Sequence, residues 1–384
     1  MARREFHVGD PAPWFTARSG GDAEFNFDGV AGRTIVLSFL GSAASEKIAA
    51  VVRHVAGPLR SRFDDNGMIF FGVSIDRGDE TIRLRDLLPG VRFFWDFDLR
   101  VSKLYGAVDD EATMSGGGVA YRPVTLVLDP LLRVLATIPI NDAATHNAVL
   151  AAVLDALPPI GLHAGAPAPV LVLPRVFEPA FCRELIALYE RHGGKESGFM
   201  EQHDGLTVTV MDARSKRRSD FNFEIAAEFA PLRMAIRARL VRRLVPEIAK
   251  AFQFQVTHIE RYIVACYESE RRGFFMAHRD NTTVATAHRK FACTLNLNAE
   301  DYDGGELRFP EFGPQTYKAP TGGAVVFSCS LLHEALPVTR GTRFVFLPFL
   351  YDEPAARQRA ENRKYIVDAT GPVEDPVAGP CLPQ

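Results

Sequence analysis

From His258 onward the chain breaks into eight short apolar segments separated by turn residues: 258–267, 274–280, 291–298, 304–309, 315–319, 323–329, 333–338 and 342–351. Short apolar runs bounded by turn residues read as β-strands. Eight such strands in succession predict a double-sheet jelly roll. Alternate side chains of a strand point to the same side. In FFMAHRDN, His278 and Asp280 therefore share one interior face, and the large Arg279 between them is tolerated because it points away.

The preceding sequence is organised differently. Strands are expected at Thr34–Leu40 and Met68–Ile75, and helices at Ser45–Phe63 (apolar stripe Ile48, Val51, Val52, Val55) and at Asp79–Pro89. VRFFWDF then reads as extended and RVSKLYGAV as helical, followed by a hairpin turning at Asp129-Pro130 and a closing helix over Ala143–Leu157. This order predicts a mixed α/β sheet covered on both faces. Leu157–Pro174 is rich in Pro, Gly and Ala and reads as a linker. The expected boundaries are a first domain over 1–160, a linker over 161–167 and a second domain over 168–384. That second domain opens with a helix from Glu178 and a longer one over Ile225–Phe252, broken near Pro246, whose arginines read as a solvated face.

With 384 residues, 47% of them apolar, two domains with substantial cores are expected. The net charge of −3 gives no reason to expect nucleic acid or an acidic membrane as partner, and no apolar run approaches a membrane span. The start lacks an apolar h-region, so no signal peptide is expected. Five cysteines without CxxC spacing suit a reducing cytoplasm, the expected location.

The chemistry concentrates in the strand-rich half. His278, Asp280 and the later His333 supply two imidazoles and one carboxylate, a ligand set that leaves open positions on a metal, as in non-haem Fe(II) oxygenases. Ten residues beyond His333 lies Arg343, whose guanidinium suits the far carboxylate of a dicarboxylic co-substrate. Alternation in TRFVFLPF places Arg343 and Val345 opposite Phe344 and Phe346. An internal salt bridge is the competing reading of Arg343. His288, beside Arg289 and Lys290, reads as solvated, as does the basic loop Arg214, Lys216, Arg217 and Arg218, for which shaping a substrate mouth is the competing reading. Phe274 and Phe275 read as an apolar wall.

Over Pro169–Asp352 these motifs are similar to the 2-oxoglutarate- and Fe(II)-dependent dioxygenases of the prolyl-4-hydroxylase-like group: His-x-Asp, Gly-Gly-Glu-Leu-x-Phe-Pro, Gly-Gly-Ala-Val-Val-Phe, the distal His and the basic residue ten positions later. The resemblance implies Fe(II) held by His278, Asp280 and His333, 2-oxoglutarate held by Arg343, and O2 as second co-substrate, with ascorbate a further candidate cofactor. It implies a tyrosine on the co-substrate, either Tyr267 or Tyr262. Asn298 and Glu306 match family positions that turn and strand-end roles explain equally well. The implied reaction is hydroxylation of a peptidyl (prolyl included) or small-molecule C–H bond, with release of succinate and CO2. Related halogenases lack the carboxylate ligand, so Asp280 favours hydroxylation.

Over His7–Leu157, VGDPAPWFTA and TIVLSFL resemble the thioredoxin-like domain of peroxiredoxins. The stretch that would carry the reactive thiol, Gly41–Val52, has no cysteine, so this domain is expected to be redox-inactive. Pro123 matches a family proline that is typically cis. The expected fold class is an α/β thioredoxin-like domain followed by a mainly-β double-stranded β-helix (jelly roll) with flanking helices. A homo-oligomer through the first domain is a further expectation. The rival is a non-catalytic scaffold, or a 2-oxoglutarate and oxygen sensor, recruiting a partner through that domain.

Overall fold

The structure, a computed structural model, describes residues 4–114, 119–158, 167–368 and 371–372. Apart from Pro167, the expected linker lies outside the described residues, as does Cys381. Two compact units divide the chain: Met1–Ala166 with Pro310–Gly313, and Pro167–Phe309 with Pro314–Gln384.

In the first unit, β1 (Thr16–Ser19), β2 (Asp22–Asn26), β3 (Thr34–Gly41), β4 (Met68–Ser74), β5 (Val91–Trp95), β6 (Val124–Leu128) and β7 (Val134–Pro139) form one sheet of order β2-β1-β5-β4-β3-β6-β7. Its centre, β5-β4-β3, is parallel, and β6 and β7 add the antiparallel hairpin. Adjacent phenylalanines show why both faces are covered. Phe70 packs with Ile48, Val51 and Val55 of α1 (Glu46–Ala56) and with Leu150 and Leu154 of α3 (Ala143–Ala156). Phe71 points the other way and stacks on Phe94, 4.8 Å between centroids, within a layer that includes Phe25 and Phe27. Between β5 and β6 lies the short helix α2 (Arg100–Leu104).

Three expectations change here. The helix from Ser45 stops at Ala56, where Gly57 and Pro58 end it, and only a 3-10 turn, Arg60–Arg62, follows. The expected helix over Asp79–Pro89 is a single wide turn, Asp79–Arg83, closed by Leu84 N–H on Asp79 O at 2.8 Å. The Asp79 carboxylate is tied inward by Ser74 Oγ (2.7 Å) and Ala43 N–H (2.8 Å), and Pro89 opposes helical continuation. Among the described residues the cis peptide is Leu88-Pro89, so Pro123 is trans.

The second unit is built on two main sheets, with helices packed on the larger one. α4 (Pro179–His192), α5 (Ala230–Arg243) and α6 (Val245–Phe252) bury Phe181, Leu185, Ile236, Leu240 and Ile248 against Val264, Leu295, Val326 and Phe346 of the larger sheet. The break between α5 and α6 falls at Leu244, with Pro246 in the first turn of α6. The arginine face is only partly solvated: Arg239 and Arg243 both hold Glu178, and Arg239 lies 3.8 Å over the Phe181 ring centroid. The larger sheet contains Ile263–Glu268, Thr342–Phe346 and Phe291–Asn296. The smaller one runs Lys216–Arg217, Phe274–His278, His333–Ala335, Leu307–Arg308, Thr316–Tyr317. Residues of both sheets line one cavity, of about 50 Å³. No helix among the described residues is long and apolar enough to cross a membrane.

Candidate metal centre

Strand Phe274–His278 pairs antiparallel with His333–Ala335, and the register puts His278 directly opposite His333. Their rings lie 4.3 Å apart between centroids. Each imidazole donates Nδ1–H to a carbonyl two residues earlier: His278 to Met276 O at 2.8 Å and His333 to Leu331 O at 3.0 Å. These bonds fix the tautomer and leave both Nε2 lone pairs facing inward. Asp280 lies just beyond the strand end, anchored by its N–H on Cys329 O at 3.0 Å. Its Oδ1 is 3.5 Å from His278 Nε2 and its Oδ2 3.3 Å from His333 Nε2. All three ligand atoms lie within 4.8 Å of one another.

The electrostatics fit a cation between them. Burial, then the neighbouring His278, lowers His333 to about 4, so its ring is neutral at pH 7. Burial pushes the Asp280 carboxyl up, but His333, His278 and Arg289 outweigh it and hold it well below the usual carboxylate range. The His333 lone pair and the Asp280 carboxylate thus face one point, with His278 Nε2 beside them. A divalent first-row ion suits this oxygen and nitrogen set. Phe275 stacks on His278 with centroids 3.6 Å apart and walls the site, whereas Phe274 lies under Arg217.

Arg343 occupies the same cavity and is 2% exposed. Its Nε and Nη1 have no hydrogen-bond partner, and among the described residues it forms no ion pair, so an internal salt bridge does not account for it. An unpaired buried guanidinium is costly. The donors left over match an incoming carboxylate. The alternation is as expected: Val345 packs toward Tyr267 and Tyr302, while Phe346 enters the helix-covered core. Asn298 holds this strand, donating to Thr342 O at 2.8 Å and accepting from Phe344 N at 2.9 Å. Gly305 makes room for Arg343: at φ +70°, a Cβ there would sit 2.8 Å from Arg343 Cδ.

Tyr267 pairs directly across from Arg343 and lines the cavity, with the Arg343 guanidinium 4.8 Å from its ring centroid. Tyr262 instead packs near Phe223 and Phe346 in the core beneath the helices. Glu306 contributes a backbone carbonyl to Leu336 N–H at 2.9 Å.

Two readings of solvated residues are overturned. His288 is buried, with Nε2 2.9 Å from Glu260 Oε2 and Nδ1 3.0 Å from Ala285 O, which partners the ring far from solvent. Lys216 and Arg218 are buried too. Lys216 Nζ donates to Ser197 Oγ at 2.7 Å, and Arg218 reaches Asp220 through two 2.7 Å bonds and Tyr267 Oη at 3.3 Å. Arg218 and Arg261 both line the cavity: the substrate-mouth reading of the basic loop covers Arg218, and Arg261 is the site residue that sequence reasoning missed. The i, i+2, i+4 spacing of Lys216, Arg218 and Asp220 is a one-face signal that could have singled Arg218 out of that loop.

Residues 262–351 match the family model described as the 2OG-Fe(II) oxygenase superfamily. This segment is thus similar to 2OG-Fe(II) oxygenase domains. A PKHD-type hydroxylase of Synechococcus sp. (strain JA-2-3B'a(2-13)) is 37% identical over 92 residues, covering 22% of this chain and 40% of that protein. The chain thus spans about two fifths of the length of that relative. Among solved structures, a prolyl hydroxylase in complex with a hypoxia inducible factor oxygen degradation domain peptide fragment, from Trichoplax adhaerens, aligns with TM-score 0.38 and 16% identity, covering 51% of this chain and 87% of that one. Peroxidoxin BcpB from Mycobacterium tuberculosis aligns with TM-score 0.32 and 18% identity, covering 40% of this chain and 99% of that one.

Proposed function

We propose that the protein is a 2-oxoglutarate- and Fe(II)-dependent dioxygenase that hydroxylates a C–H bond of a peptidyl (prolyl included) or small-molecule substrate. The observation that carries this is the coexistence, in one cavity, of three converging ligand atoms and a buried arginine with unmet donors. When bound, iron, 2-oxoglutarate and O2 supply the oxidising chemistry, in which the co-substrate leaves as succinate and CO2 and one oxygen atom enters the substrate. The chain's residues bind and orient. His278, Asp280 and His333 would hold the metal from one side. Arg343 would clamp the distal carboxylate of the co-substrate by paired charge-assisted bonds, with Tyr267 flanking it. Phe275 and Phe327 dry the metal side of the cavity, which strengthens each electrostatic contact inside it.

Within this reading, residues 1–160 form a thioredoxin-like domain without redox chemistry, serving assembly or partner binding in a cytoplasmic homo-oligomer. Support comes from the cysteines: Cys182, Cys266, Cys293 and Cys329 are all free, buried and in the second unit. The deciding experiment is an anaerobic titration of the full chain with Fe(II) and 2-oxoglutarate, followed by absorbance. A weak visible charge-transfer band that saturates at one equivalent of each is expected. No band at saturating concentrations of both would refute the assignment.

A further inference from the structure

The cavity holds more positive charge than the iron and the co-substrate use. Arg218, Arg261 and Arg343 all line it, against one carboxylate, Asp280. The oxygenase reading, on which this inference rests, accounts for most of them. Divalent iron with Asp280, together with Arg343, is brought to neutrality by the two carboxylates of 2-oxoglutarate. Arg218 is matched by Asp220, which it grips through Nε and Nη2 at 2.7 Å each. Arg261 remains. Among the described residues its only ion pair is a 3.5 Å contact with Oδ2 of that same Asp220, an oxygen already held by Arg218 and by Ser197 Oγ at 2.6 Å.

The placement of Arg261 is that of a recognition group. It sits between strands His258–Glu260 and Ile263–Glu268 with φ of 67°, in the left-handed region, and its backbone N–H donates to Glu224 Oε1 at 3.1 Å. Its guanidinium lies 5.2 Å from the Phe349 ring centroid, and the side chain is 26% exposed, in a cavity it shares with the metal ligands. A planar fork beside an aromatic face, tied only by the 3.5 Å contact to Asp220, suits two parallel bonds to a carboxylate. Burial, and then the adjacent Arg218, pulls Arg261 down to about 10, so it stays charged at neutral pH.

We propose that the substrate of this cavity carries a carboxylate and that Arg261 holds it, orienting the C–H bond to be hydroxylated toward the metal side. A single residual charge fits a monoanion, which favours a carboxylate over a phosphate dianion. The carboxylate can belong to a free acid or to an Asp or Glu side chain of a peptide, and the test separates the two.

The test is binding, not turnover. The full chain is loaded with Mn(II) and N-oxalylglycine, and its melting temperature is followed against three ligand sets at constant ionic strength: the free amino acids, their carboxamides, and N-acetylated, C-amidated Asp and Glu. At least one carboxylate should raise the melting temperature in a saturable way while its carboxamide does not. Response to free acids assigns a small acid, and response to the capped residues assigns an acidic peptide. Arg261→Gln should weaken that ligand roughly tenfold or more, and Arg261→Lys should recover part of the loss. A silent panel, equal response to acids and carboxamides, or unchanged affinity in Arg261→Gln overturns the proposal. The acid-against-carboxamide comparison on the wild type decides even if the variants fail to fold. Because the Fe(II) and 2-oxoglutarate band is read separately, a protein with the band and a silent panel loses the carboxylate site alone.

Discussion

Each unit carries a polar cluster at its strand ends, and the two clusters differ in how far the protein itself completes them. In the first unit, Ser42 Oγ donates to Asp76 at 2.5 Å, Arg83 reaches both Asp76 and Asp79, and Asp79 also accepts from Ser74 Oγ and Ala43 N–H. Acids, hydroxyls and cation are mutually satisfied, as buried polar groups in a folded protein generally are. In the second unit, the lone pairs of His278 and His333 converge on Asp280, and Arg343 keeps Nε and Nη1 unpartnered. Such a remainder costs folding energy, and ligands that supply the missing partners recover it. The lesson is that buried polar residues alone do not mark a site. Unmet valence does.

The largest expected effect comes from the cluster that is incomplete. Asp280→Ala should abolish metal binding and iron-dependent 2-oxoglutarate decarboxylation while far-UV circular dichroism stays unchanged. With the carboxylate present, Fe(II) added anaerobically should raise the melting temperature, and in the variant it should not. Full turnover by Asp280→Ala would remove Asp280 from the ligand set.

Next is Arg343. Removing a charged clamp while the partner carboxylate stays buried costs about 2–5 kcal/mol, read mainly as a raised KM for 2-oxoglutarate. Arg343→Lys should recover part of it, because the charge remains while the fork is lost. An unchanged KM in Arg343→Ala would mean that the co-substrate is anchored elsewhere, with Arg218 the first alternative.

These two predictions use residues that were legible in the sequence, and the reason is local. Strand alternation and ordered spacing carry His278, Asp280, His333 and Arg343, and no distant contact is needed to orient them. What was illegible depends on partners far along the chain. His288 looked solvated until Glu260, 28 residues away, closed on it. Arg261 owes its position to a left-handed backbone angle that sequence alternation cannot show. The wide turn at Asp79 replaced the expected helix because a buried carboxylate found donors on two other elements. Which tyrosine shares the cavity with Arg343 depends on the sheet register, which sets Tyr267 opposite it.

A smaller effect should come from the first unit, where Asp96 tests how complete its polar interior is. Asp96 is 2% exposed and accepts from Val101 N–H at 2.9 Å and Ser102 N–H at 2.7 Å. Burial outweighs these donors and, with Asp98 nearby, raises the carboxyl from 3.8 to about 6. The folded state therefore binds the proton more tightly than the unfolded one. Between about pH 4 and 6 stability should fall as pH rises, by up to about 3 kcal/mol in total. Both tryptophans, Trp14 and Trp95, lie in this unit, so their fluorescence during urea unfolding reports on it. The midpoint should rise from pH 7 to pH 5, and Asp96→Asn should flatten that slope. A midpoint that fell over the same range in wild type alone would reverse the sign assigned to Asp96.

The smallest expected effect is none at all. Peroxide reduction through a thiol needs an accessible thiolate, favoured by cationic neighbours. Burial raises Cys182 to about 11, Cys266 and Cys293 to about 12, and Cys329 well above its ordinary value. With Cys381 replaced by Ser, the chain with a dithiol reductant and a metal chelator should therefore consume peroxide at the rate of the reductant alone. Ser42→Cys sharpens the comparison. A thiol there would face Asp76, and Asp79 lies close by, with Arg83 already shared between those two carboxylates. Nearby negative charge disfavours the thiolate, so this variant should stay silent as well. If Ser42→Cys turned over peroxide in a dithiol-dependent way, the first cluster would be a site emptied by one substitution, and the contrast between a closed cluster and an open one would fail.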